Sequence, residues 1–130
     1  MALFQTWARV DVGEGMDFDI LSFMKLVVIL SSSNAETNWN ALRIANLAIK
    51  KGDEVDIFLL GEGVEYLKFS SDKFDIQKQV DAFLESDRAK ITACGTCLEI
   101  RGKDSGKACP VGNLEDWYRL IAESDKVLTF

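Results

Sequence analysis

Apolar positions along the chain fall into short continuous runs separated by longer amphipathic stretches, the pattern expected of strands alternating with helices. "KLVVILSSS" carries an unbroken β-branched and leucine run from Leu26 to Leu30, stopped by serines, which predicts a parallel strand covered on both faces. In "ETNWNALRIANLAIKKG" a cap at Ser33 or Asn34, Glu36 near the start, Lys50 and Lys51 in the last turn and Gly52 at the end mark a helix. Its apolar residues, Trp39, Ala41, Leu42, Ile44, Ala45, Leu47, Ala48 and Ile49, cover more than one stripe, so a subunit interface is expected beside the sheet contact. A second strand is predicted over 55–60, ending at Gly61-Glu62-Gly63. "DIQKQVDAFLESD" sets Ile76, Val80, Phe83 and Leu84 at helical spacing, and "AKITA" follows as a short strand. "RGKDSGKACPVGN" reads as a polar loop. Asn113 then caps a helix with Leu114, Trp117, Leu120 and Ile121 on one face, and "KVLTF" closes the chain as a strand.

That order builds right-handed βαβ crossovers, and the expected class is α/β: three layers, α/β/α, with a mostly parallel sheet of about five strands. Sites in such sheets lie at the carboxyl ends of the strands, the edge on which Cys94 falls. A length of 130 residues fits one core. Residues 1–23 have little periodicity and Met24 stands directly before the first strand. The expectation is an N-terminal extension over 1–23, non-native or from an upstream start, and a single domain over 24–130.

Charge and composition narrow the function. A net charge of -6, with 15 Lys and Arg scattered among 21 acids, leaves no basic footprint for nucleic acid. The longest apolar run is strand-length, so no membrane span is expected, and the lack of a signal-like N-terminus makes the cytoplasm the expected compartment. Thiols stay reduced there, so the three cysteines are expected to be free, catalytic or metal-bound. The chain has no histidine, which removes every Ser-His or Cys-His pairing. Phosphate motifs are weak: Tyr66 stands where a dinucleotide fingerprint needs its third glycine, and "SSSN" and "GKDSGK" lack P-loop spacing.

Four readings remain for "KITACGTCLEIRG". With a strand ending near Ala93 and a helix starting near Gly95, Cys94 would meet unpaired amides and a helix dipole, which would lower its thiol pKa and make it a nucleophile. Gly95 would then allow close approach of a substrate, and Arg101, two turns on, could add electrostatic support. In the second reading the thiols are small hydrophobes, the expectation for Cys97 taken alone. Cys109, in the polar loop before Pro110, is expected to be exposed. The third reading is a thioredoxin-like C-x-x-C couple, here placed late in the chain and faced by no separate later proline. The fourth is a metal, for which three cysteines without histidine fall short of a full ligand set, so none is expected.

Taken in order, "KLVVILSSSNAETNWNALRIANLAIKKGDEVDIFLLGEGVEYL", "ITACGTCLEIRG" and "ESDKVLTF" resemble the DsrE/DsrF-like family, on the side of its TusD-related sulfur-relay proteins and a DsrE-like subgroup. The resemblance implies a small α/β protein that forms homo-oligomers, trimers or hexamers, and needs no cofactor. It further implies a sulfurtransferase or sulfur carrier that passes sulfane sulfur between donor and acceptor proteins as a persulfide on the cysteine matching Cys94. Cys97 and Cys109 go beyond the TusD-related pattern and are expected as resolving or second sulfur-binding thiols. The rival classes are a thiol-disulfide oxidoreductase using Cys94 and Cys97, and a non-catalytic oligomeric binding module.

Overall fold

A computed structural model describes residues 23–103 and 110–130. The extension expected over 1–23 therefore lies outside the described residues except for Phe23, and so does Cys109. Five strands, β1 (Lys25–Leu30), β2 (Glu54–Leu59), β3 (Ala89–Cys94), β4 (Val111–Gly112) and β5 (Lys126–Thr129), form one sheet in the order β4-β3-β2-β1-β5. Every pairing is parallel. Among the described residues four helices accompany them: α1 (Ala35–Lys50), α2 (Ile76–Phe83), α3 (Gly95–Ile100) and α4 (Leu114–Glu123), with a 3-10 helix over Gly61–Phe69.

Handedness explains the layers. The chain steps from β1 through β2 and β3 to β4 in one direction, then returns across the sheet to place β5 beside β1. Right-handed crossovers in opposite directions put their helices on opposite faces. Leu26, Val28 and Leu30 of β1, Val55, Ile57 and Leu59 of β2, and Ile91 and Ala93 of β3 share one core cluster with Ala41, Leu42 and Ala45 of α1 and Ile76, Val80 and Phe83 of α2. The alternate residues Val27, Ile29 and Phe58 form a second, smaller cluster against Trp117 and Leu120 of α4. Phe58 and Trp117 stack with centroids 5.7 Å apart, close to coplanar at 7°.

Among the described residues the second face is covered mainly by α4. No residue of α4 is fully buried, and Asp56 sits half-buried, its carboxyl pushed up by that burial against the opposing pull of Lys90. Leu114 and Ile121, expected to share the packed face with Trp117 and Leu120, are instead exposed, Leu114 to 74%. One short helix offers a narrow stripe to the sheet, so only the two central residues of its apolar arc reach it. Leu84 is likewise not core: it ends α2 at the cap position and is exposed.

The helix ends follow the polar residues that mark them. Asn34 Oδ1 accepts from the Thr37 amide at 2.9 Å, and Gly52 follows the α1 cap residue Lys51 with φ 100°. Asn113 and Asp116 close a reciprocal capping box at the start of α4, each side chain accepting from the other's amide at 2.9 Å. Asn113→Ala is expected to cost about 1 kcal/mol, read from chemical denaturation. The Asn113 amide, and then Arg119, hold the Asp116 carboxyl below the usual range. Its stabilisation is present above the ordinary carboxylate pKa and lost as pH falls through the lowered value. The gap in thermal midpoint between wild type and Asp116→Asn should therefore close on acidification.

Two elements differ from the sequence expectation. β2 ends at Leu59, and the glycine turn after it winds into the 3-10 helix. Within the expected loop, Val111 and Gly112 add a two-residue strand to the sheet edge, opposite Ala93 and Cys94. Such a strand is too short to show periodicity, and its register comes entirely from β3.

Candidate functional site

Cys94 is the last residue of β3 and the cap residue of α3, with extended backbone (φ -67°, ψ 118°). Its side chain leans on the smaller core cluster of Val27, Ile29 and Phe58 and is partly exposed. Three residues on, Cys97 lies on the same side of the first turn, because i and i+3 positions are neighbours on a helix. The two thiols are near enough for the Cys97 thiol to add to the rise in the Cys94 pKa. Cys97 is also partly exposed, and its sulfur accepts a hydrogen bond from the Gly61 amide at 3.2 Å. Cys97 therefore has a polar partner and is not simply a small apolar filler.

The expected lowering of the Cys94 pKa is overturned. Burial against the sheet pushes the thiol up, the Cys97 thiol adds to the rise, and the amides of Cys97 and Thr96 pull the other way without prevailing. The helix is only six residues long and Cys94 makes no capping hydrogen bond, so the dipole available to it is small. Alkylation of Cys94 by iodoacetamide, followed on its peptide by mass, should keep accelerating above the pH at which an ordinary cysteine has levelled off. A plateau below that pH would contradict the burial argument.

Arg101 does not face Cys94. Its guanidinium donates to the Cys97 carbonyl at 3.1 Å and lies 3.9 Å from the Glu65 carboxylate. Lys103 at 3.5 Å and Lys68 at 3.8 Å approach the same carboxylate. Glu65 thus ties α3 to the 3-10 helix, a role with no sequence signal because the residue lies thirty-odd positions before Arg101 and Lys103. Gly95 was expected to make room for a substrate; a Cβ there would meet Val111 Cγ1 at 2.9 Å, so the atom it admits is a methyl group of β4. Beside it, between α3 and α4, Thr96, Glu99, Lys103, Gly112 and Asp116 line an open groove of about 470 Å³.

Sequence reasoning missed Gly61. It read the glycines after β2 as a turn, and the only available signal was that a turn at the carboxyl end of β2 must lie beside the end of β3 in a parallel sheet. The site can exchange sulfur or form a disulfide. Cys94 and Cys97 offer two sulfur ligands, half of what tetrahedral zinc takes. No helix among the described residues is long and apolar enough to cross a membrane.

Relatives agree with this architecture. MJ0989 of Methanocaldococcus jannaschii is 30% identical over 114 residues, covering 82% of this chain and 100% of the relative. MK0008 of Methanopyrus kandleri is 30% identical over 116 residues, covering 81% and 93%; both carry the description of uncharacterized proteins. Among solved structures, the ychN protein from E. coli superposes with a TM-score of 0.70 over 84% of this chain and all of its own, at 20% identity, which establishes the likeness of fold. The profile of the DsrE/DsrF-like family matches residues 24–130, the whole stretch from the start of β1 to the end of the chain, and the protein belongs to that family.

Proposed function

We propose that this protein traffics sulfur inside the cytoplasm, carrying sulfane sulfur as a persulfide on Cys94 between a donor and an acceptor protein. The observation that carries the reading is the position of Cys94: a partly exposed thiol at the carboxyl end of a central-region parallel strand, in a chain of the DsrE/DsrF-like family. The Cys94 thiolate attacks the outer sulfur of a donor persulfide, the donor's S–S bond breaks, and the donor thiolate leaves. An acceptor thiolate later attacks the same outer sulfur and Cys94 departs as thiolate. A thiol with a raised pKa is a slow leaving group, which favours holding the cargo until an acceptor engages.

Self-association accompanies this reading. Ile44 and Leu47 of α1 and Val127 of the edge strand β5 are exposed large apolar residues around one groove, a face suited to a second copy in a trimer or hexamer. The placement of Cys94 and Cys97 on one helical turn favours a second reading, thiol-disulfide exchange. The experiment that separates the two is brief incubation with a persulfide donor followed at once by cyanide. Thiocyanate formed from wild type and missing from Cys94→Ser supports the carrier; a disulfide with no cyanide-labile sulfur at any time supports exchange.

A further inference from the structure

Resting on the persulfide reading of Cys94, we infer that Cys97, held by the Gly61 amide, is an internal resolving thiol that converts the Cys94 persulfide into a Cys94–Cys97 disulfide and releases hydrosulfide. This is a reductive activity distinct from passing sulfur onward. Cys97 Sγ attacks Cys94 Sγ as a thiolate, the bond between Cys94 Sγ and the outer sulfur breaks, and the outer sulfur takes the bonding pair and leaves as HS⁻. Cys97 is oxidised and the outer sulfur reduced. A dithiol reductant resets the disulfide by thiol exchange and is itself left as a disulfide.

Four structural observations support the assignment. Cys94 caps the helix and Cys97 lies three residues on in its first turn, so attacking and accepting sulfurs sit on one helical turn. The Gly61 amide donates to Cys97 Sγ at 3.2 Å and so orients the sulfur. Gly61 has φ 56°, a conformation that side-chain-bearing residues avoid, and nothing lies within 4 Å of where its Cβ would be, so the glycine serves the backbone that presents this N–H. The clamp from Arg101 to Glu65 and to the Cys97 carbonyl keeps α3 and the glycine turn together. Leaving-group chemistry points the same way. Attack at the inner sulfur expels hydrosulfide, a weaker base than the Cys94 thiolate, whose pKa partial burial raises, and the weaker base leaves faster.

The full chain carrying Cys109→Ser, and the same chain with Cys97→Ser added, are loaded anaerobically with stoichiometric glutathione persulfide, desalted and followed by intact mass and hydrosulfide assay. With Cys97 present, the added mass should vanish, the chain should end two hydrogens lighter with Cys94 and Cys97 peptides linked, and hydrosulfide should appear. With Cys97→Ser, an addition of about 32 Da should persist on Cys94 and hydrosulfide release should fall about tenfold or more. The Gly61 amide proton resonance should move on loading only where Cys97 is present. Equal persistence of the addition in both chains overturns resolution by Cys97 and leaves the carrier reading intact. Failure of Cys94 to gain sulfur in the Cys97→Ser chain overturns the carrier reading itself, and the resolution step with it.

Discussion

Cys94→Ser is expected to abolish sulfur acceptance, with cyanide-labile sulfur falling to background while Cys97→Ser still loads. Serine keeps the size and polarity of the cap position and removes only the sulfur. The variant retains Cys97 and Cys109, so the loss locates the accepting atom. Burial raises the Cys94 pKa, so the loading rate of wild type should climb with pH through and beyond the range of an ordinary thiol, because the thiolate is the attacking species. Intact mass after a short exposure to donor reads the result as the presence or loss of an addition of about 32 Da. As much labile sulfur on Cys94→Ser as on Cys97→Ser would move the carrier role to another residue.

Gly63→Ala is expected to be the most damaging single methyl in the described residues. A Cβ at Gly63 would run into the carbonyl oxygen and carbon of Leu30, backbone atoms at the end of β1. That carbonyl already accepts from the Leu60 amide at 3.0 Å, and Leu30 is fully buried, so neither side has room to give. A loss of about 3 kcal/mol and a drop of about 10 °C or more in thermal midpoint follow. Gly61→Ala is the informative comparison: its Cβ would enter open space, and the cost is the positive φ alone, about 1 kcal/mol. Equal stability of Gly63→Ala and wild type would show that the 3-10 helix can move away from β1, and with it the amide that holds Cys97.

The legible part of the fold was carried by local signals. Leu26 to Leu30 could only be a strand buried on both faces, and Asn34, Asn113 and Gly52 announce helix ends because orphan amides and carbonyls need those side chains or that backbone. The 3-10 helix was illegible because its glycines suit any turn, and β4 because two residues carry no period. At the site, the placement of Cys94 at the end of β3 was readable from the strand pattern. The direction of its pKa was not, because it depends on how far the second sheet face buries the sulfur. Arg101 looked free to assist Cys94 only while Glu65, remote in sequence, was out of view.

The sequence by itself determined the alternation of strands and helices, the histidine-free chemistry and the spacing that puts two thiols on one helical turn. These follow from periodicity and residue type, which act over a few neighbours. Tertiary structure alone decided which backbone amide meets Cys97, what burial does to Cys94, and which residues of α4 reach the sheet. Those depend on the parallel stacking of β1, β2 and β3, which brings Gly61 and Cys97, 36 positions apart, to one sheet edge. Contacts of that range are set by crossover handedness and strand register, and no local pattern encodes them.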